Sequence, residues 1–187
     1  MPRAFDILVA AAALALLSPL LLVAALAIKL GGAGPVLYRQ RRVGRDGREF
    51  EMLKLRTMVQ GSDPVGVGTV VTRDDPRVTP AGRMLRRTSL DEIPNLVNVL
   101  RGEMAIVGPR PTIPAQVKGY TPRQRRRHAV RPGITGWAQV RGRAGIPWGE
   151  RIELDLWYVD HRSAALDLRI LLRTVWLLLS GHGLAPD

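Results

Sequence analysis

The 187-residue chain contains no cysteine, which excludes disulfide stabilisation. With His128, His161 and His182 as its only histidines, it also lacks the ligand spacing of a structural zinc site. Aromatic residues make up 5% of the sequence, too few rings to stack a run of single-stranded bases. Acidic residues are scarce as well: 16 Asp and Glu face 28 Lys and Arg, a net charge of +12. A polyanion is therefore the expected partner, and charge alone does not choose among nucleic acid, an anionic membrane surface and a phosphorylated substrate. No internal repeat or low-complexity tail is present, and the length fits one modest domain, or a small domain plus an anchor.

Charge is absent altogether from Ile7 to Ile28. At about 1.5 Å per residue such a run reaches across roughly 30 Å of hydrocarbon, so it reads as a membrane segment. Ser18-Pro19 interrupts its middle, and no small-residue cleavage site precedes an obviously secreted domain, which argues against a removed signal peptide. Arg3 precedes the run, while Lys29, Arg39, Arg41, Arg42 and Arg45 follow it, so both flanks look cytoplasmic. A helix bent at Ser18-Pro19 can return to the face it entered, with the serine hydroxyl satisfying a carbonyl that proline leaves without a donor. The competing topology is a straight span with a tolerated kink. Either way the chain divides into a membrane element over residues 1–34 and a domain over residues 35–187.

Beyond the glycine-rich exit at residues 31–35, Arg45-Asp46-Gly47-Arg48 predicts a hairpin turn between two short strands. Lys54 and Arg56 alternate with Leu53 and Leu55, which puts both cations on the polar face of the second strand. Glycine, proline, threonine and aspartate from Gly61 to Gly82 predict a long loop. Thr121-Pro122 reads as the N-cap and first residue of a helix carrying Arg123, Arg125, Arg126 and Arg127, a run that suits either a solvated face or lipid headgroups. The glycines of Arg131 to Trp137, RPGITGW, allow close approach to a ligand or a tight turn, and Arg141 and Arg143 follow. A helix is expected from Pro147. A last, strongly apolar helix from Leu166 to Leu179, with Arg169 and Arg173 on one side and Trp176 nearby, fits the bilayer interface or the protein core.

The chemistry concentrates between Arg86 and Pro111, RRTSLDEIPNLVNVLRGEMAIVGPRP. Ile93, Leu96, Val97 and Leu100 recur at helical spacing, Gly102 stands at the C-cap, and Pro94 must lie in the first turn. Asp91 and Glu92 then fall at the helix start. Ser89 and Glu92 fit a capping box, so a structural role competes with a catalytic one. Arginines on both sides, Arg86 and Arg110 among them, favour chemistry on a phosphate, and Asp91, Asn95 and Asn98 share the face opposite the apolar stripe.

Taken together, Ser18-Pro19, KLRTM at residues 54–58, DPRVTPAGRMLRRTSLDEIPNLVNVL from Asp75, GPRP at residues 108–111 and RPGITGWAQVRGR from Arg131 resemble the bacterial sugar transferases, small monotopic phosphoglycosyl transferases. The resemblance covers almost the whole chain. It implies an α/β fold, mainly helical with short strands, in which a re-entrant membrane helix broken at Ser18-Pro19 carries a cytoplasmic catalytic domain with membrane-interface helices. It implies transfer of a sugar 1-phosphate from a UDP-sugar to polyprenyl (undecaprenyl) phosphate at the anionic inner leaflet of the bacterial inner membrane, with release of UMP. Asp91 and Glu92 would be the catalytic dyad and Mg2+ the cofactor, held at Asp91. Asp91 attacks the sugar-bearing phosphate and keeps the phosphosugar, while Glu92 orients or deprotonates the second substrate. By motif position Arg86, Arg110 and Arg143 are the expected phosphate and nucleotide ligands, with Lys54 and Arg56 beside them. The chain departs from the common pattern in having Leu55 for phenylalanine and Arg141 for asparagine. A membrane-tethered nucleic-acid-binding protein would also explain the charge and the arginine run, but it leaves the dyad and GPRP unexplained, so no nucleic acid is expected as partner.

Overall fold

A computed structural model of the chain describes residues 1–62, 75–142 and 146–180. Arg143 and most of the expected long loop lie outside the described residues, although the loop's end is seen to be helical already: Thr79 caps α2 (Pro80–Arg87) by accepting a hydrogen bond from the Gly82 N–H at 3.0 Å.

The apolar segment is one helix, α1 (Arg3–Leu30), with Pro19 inside it. Ser18 Oγ donates to the Ala15 carbonyl at 2.8 Å, the acceptor that Pro19 deprives of its usual donor. The buried residues of α1 are Asp6, Ala10, Ala24 and Ile28, so only its two ends are covered, while Leu16 and Leu22 in the middle are 80% and 63% exposed. Both ends are tied to the same domain. Arg3 donates to the carbonyls of Val99, Leu100 and Met104, and the Asp6 carboxylate accepts the Ile106 N–H at 3.1 Å. At the other end Arg56 donates to the carbonyls of Ile28, in the last turn of α1, and of Gly32 and Ala33 just beyond it.

The expected hairpin forms from β1 (Leu37–Val43) and β2 (Glu49–Leu55), antiparallel with Leu37 opposite Leu55, and turns through Arg45–Gly47. After α2 comes a single 3-10 turn, Leu90–Glu92, then α3 (Asn95–Arg101), closed as predicted by Gly102 at φ +86°. The face of α3 opposite the apolar stripe is buried as deeply as the stripe itself. Leu100 is 39% exposed, whereas Asn95 and Asn98 are fully buried, because α3 turns its polar side toward β2. Asn98 accepts the Leu53 N–H at 3.1 Å and donates to the Glu51 carbonyl at 2.7 Å, so the amide joins the β2 edge in place of another strand.

Strands β3 (Ala105–Val107) and β4 (Gly133–Thr135) pair in parallel. The glycines after Arg131 serve this packing and not a turn: a Cβ on Gly133 would stand 2.1 Å from the Gly108 nitrogen, and one on Gly136 2.1 Å from the Gly108 carbonyl oxygen. Backbone lies against backbone, which fixes the direction in which GPRP leaves β3. Between these strands run α4 (Pro114–Lys118) and α5 (Pro122–Arg125), the latter opened by a Thr121–Gln124 capping box as the sequence predicts. After β4 come α6 (Trp137–Gly142), α7 (Trp148–His161) and α8 (Ala164–Ser180).

The arginine run is not a free cationic face. Arg123 makes two hydrogen bonds to Glu153 at 2.6 and 2.5 Å, Arg126 pairs with Asp160 at 2.5 Å, and Arg127 is buried against Asp155, all three acids lying on α7. Helix α8 divides its apolar residues between two surroundings. Leu166, Ile170 and Leu177 enter the main core with Ala10, Leu96, Val99, Met104 and Tyr158, while Leu172, Val175, Trp176 and Leu179 are more than half exposed.

Candidate active site

Asp91 and Glu92 occupy the 3-10 turn between α2 and α3, where the backbone enters through Ser89 at φ +57°, a left-handed conformation uncommon for serine. Ser89 makes no side-chain cap there, so the capping box anticipated from the sequence does not form. The Glu92 carboxylate turns instead to two cations from distant parts of the chain. Lys54 of β2 reaches its Oε1 at 2.6 Å, and Arg110 of the GPRP turn contacts the same oxygen at 2.6 Å and Oε2 at 3.3 Å. Charge-assisted pairs of this kind outcompete a single backbone N–H for the carboxylate.

The two carboxyls have opposite electrostatic fates. Burial disfavours the Glu92 anion, but the charges of Arg110 and Lys54 and their hydrogen bonds outweigh it and hold the group well below the ordinary glutamate range. Burial pushes Asp91 above its ordinary value, with the Glu92 charge adding to the rise and Lys54, Arg86 and Arg110 opposing it. Among the described residues no group hydrogen-bonds the Asp91 carboxylate, although it is only 9% exposed. A carboxyl group without donors among the described residues, within electrostatic reach of Lys54, Arg86 and Arg110, is chemically available, whereas its neighbour, firmly ionised and doubly paired, is a weak base and a good anchor.

The cations are positioned by the fold. Lys54 points from the hairpin strand that Asn98 fastens to α3, and burial lowers its pKa despite Glu92. Arg86, in the last turn of α2, is oriented by its Nε–H bond to Thr57 Oγ1 at 3.1 Å. Arg110 is fixed through its backbone, whose carbonyl accepts from buried Arg127 at 3.1 Å. The structure thus brings together Asp91, Glu92, Lys54, Arg86 and Arg110. Arg56, one residue beyond β2, is directed elsewhere, to the carbonyls of Ile28, Gly32 and Ala33 at the C-terminal end of α1.

One cation close to this group escapes sequence reasoning. Arg42 of β1 donates to the Pro111 carbonyl at 3.0 Å, brought there by pairing of Val43 with Thr112. Nothing local distinguishes it from the other arginines of the hairpin; only the contact between β1 and the GPRP segment does.

Among the described residues no three His, Asp or Glu side chains gather as a metal cage. A single free carboxylate matches the way Mg2+ is held when substrate phosphates and water complete its oxygen shell, so the donor set present fits that ion at Asp91.

Residues 1–181 match the family described as bacterial sugar transferase. A sugar transferase of Bacillus subtilis, EpsL, whose function is uncharacterised, is 42% identical over 182 residues, covering 97% of this chain and 89% of that protein. The UDP-glucose:undecaprenyl-phosphate glucose-1-phosphate transferase of Caulobacter vibrioides is 48% identical, covering 95% of this chain and 69% of the relative. The enzyme of the same name in Escherichia coli is 45% identical, and there the match takes in 93% of this chain but only 39% of the relative.

Proposed function

Because the chain belongs to the bacterial sugar transferase family, we propose that this phosphoglycosyl transferase moves a sugar 1-phosphate from a UDP-sugar to undecaprenyl phosphate through a phosphosugar ester of Asp91. The observation that carries the reading is the contrast within the dyad: a buried Asp91 carboxylate without hydrogen bonds among the described residues, beside a Glu92 already taken by Lys54 and Arg110. An Asp91 oxygen attacks the sugar-bearing phosphorus, the bond from that phosphorus to the UMP oxygen breaks, and UMP leaves with the electron pair. In the second half-reaction an oxygen of undecaprenyl phosphate attacks the same phosphorus and the Asp91 carboxylate departs, giving the lipid diphosphosugar. Lys54, Arg86 and Arg110 favour the ionised nucleophile against its burial and meet the incoming phosphates. Glu92 acts as a positioning residue that holds Lys54 and Arg110 in the site; its strong acidity favours orientation over proton abstraction. Mg2+ bound at the Asp91 carboxylate would neutralise diphosphate charge that otherwise repels the nucleophile.

The membrane placement follows from the same features. Tethering of both ends of α1 to one domain, with an exposed apolar middle at Leu16 to Leu22, favours a helix that enters and leaves the inner membrane on the cytoplasmic side. The outward apolar face of α8, with Trp176, fits the interface of the same anionic leaflet. The nucleic-acid alternative loses its main support, since three arginines of the run at Arg123 to Arg127 are paired with acids of α7.

The test is the first half-reaction alone. Enzyme, Mg2+ and a UDP-sugar drawn from a panel, without lipid phosphate, should release UMP in an amount close to that of enzyme and add one phosphosugar mass to the protein. Asp91→Asn, which keeps the shape but removes the anionic oxygen, should do neither. Full turnover with intersecting two-substrate kinetics and no adduct would refute the covalent route.

A further inference from the structure

The cations around GPRP outnumber the anions that balance them. Glu92 serves both Lys54 and Arg110, and Asp155 is committed to Arg127, yet Arg42 has no carboxylate within ion-pair distance among the described residues. Its hydrogen-bond acceptors are neutral oxygens, the Pro111 carbonyl at 3.0 Å and Gln40 Oε1 at 2.5 Å, and among the described residues its buried Nε–H has no acceptor. A partly buried guanidinium with an orphaned donor, next to another guanidinium, is an unfavourable arrangement in the free chain unless an anion joins it. Burial and the repulsion of Arg110 bring the Arg42 pKa down to about 10, and burial and the same repulsion lower that of Arg151 on α7.

The position of this excess charge says which anion it serves. Arg86 stands on α2, whose Leu85 packs with Ala24 and Ile28 of the apolar helix α1. Arg42 and Arg110 come instead from β1 and the GPRP turn, which meet through the pairing of Val43 with Thr112. We propose that Arg42, lying over the Pro111 carbonyl beside Arg110, is a further substrate-binding residue that receives the nucleotide-side phosphate of the UDP-sugar diphosphate. When the bond to the sugar-bearing phosphorus breaks, the departing nucleoside monophosphate gains a negative charge, and that charge develops toward Arg42 and Arg110. The inference rests on the proposed use of a nucleotide diphosphosugar.

The experiment compares wild type, Arg42→Gln and Arg42→Lys in detergent micelles, after thermal unfolding has shown them folded, measuring KM for the UDP-sugar and for undecaprenyl phosphate together with inhibition by UMP. In Arg42→Gln, KM for the UDP-sugar and the UMP inhibition constant should rise together, on the order of 10- to 100-fold for loss of a charged hydrogen bond, with KM for the lipid unchanged. Arg42→Lys should recover part of both, because an ammonium keeps the charge but not the planar fork, and it decides the matter if the glutamine variant does not fold. Equal losses for both substrates, a fall in kcat alone, or unchanged UMP inhibition would overturn the assignment. Wild-type enzyme that neither turns over UDP-sugars nor is inhibited by UMP would instead defeat the functional reading on which it stands.

Discussion

Replacing Glu92 by glutamine removes the charge on which two cations rest, and its consequence for stability is set by how buried each partner is. The Glu92 and Lys54 side chains are 21% and 18% exposed, and Arg110 is 44% exposed. Breaking a fully buried pair costs about 3–5 kcal/mol, but the wet guanidinium of Arg110 contributes little of this, and a glutamine carbonyl still accepts from Lys54. A loss of about 2 kcal/mol is expected, which for a chain of this size lowers Tm by roughly 4–8 °C. The pH dependence makes the reasoning specific. Glu92 has a depressed folded pKa, so its contribution is complete above its ordinary value of 4.5, is lost only in acid, and stays constant from pH 7 upward. Lys54 has a folded pKa pulled below 10.5, so in that window the unfolded chain binds more protons and stability rises with pH. Without the Glu92 charge the Lys54 ammonium is disfavoured further, the window widens toward neutrality, and the deficit of Glu92→Gln should shrink between pH 7 and pH 9.5. Circular dichroism melts in detergent at one scan rate would measure this. A deficit that stays equal or grows with pH, or no loss at pH 7, would refute the assignment of Glu92 as the anchor of Lys54.

Two other outcomes follow from the fold. Since the chain has no cysteine of its own, Pro2→Cys and Ala33→Cys report topology cleanly: neither should react with an impermeant thiol reagent outside intact bacteria, and labelling of one but not the other would establish a straight span. Arg127→Ala strands buried Asp155 and should cost about 3–5 kcal/mol in denaturant titration, most of it recovered in the double variant Arg127→Met with Asp155→Leu. A double variant no better than the single would place the cost in the contacts of Arg127 with Tyr120 and the Arg110 carbonyl.

Much of this protein is determined by residues close together in the sequence. The uncharged run of α1, the hairpin at Arg45–Gly47, the cap at Gly102 and the Thr121–Gln124 capping box each depend on interactions spanning a few residues, so composition and spacing suffice to predict them. The adjacency of Asp91 and Glu92 is likewise covalent. Their difference is not: Glu92 is occupied by Lys54, 38 residues before it, and Arg110, 18 after, while neither of these cations reaches Asp91 with a hydrogen bond. Separations of 28 to 69 residues likewise lie between the arginine run and its acids on α7, Asn98 and the β2 edge, and Arg42 and Pro111. Periodicity set Asn95 and Asn98 on the face opposite the apolar stripe and motif position set Arg56 beside the phosphate ligands, but neither says what packs against those side chains. Burial and pairing of charges depend on what the other elements bring alongside, and only the tertiary structure decided that.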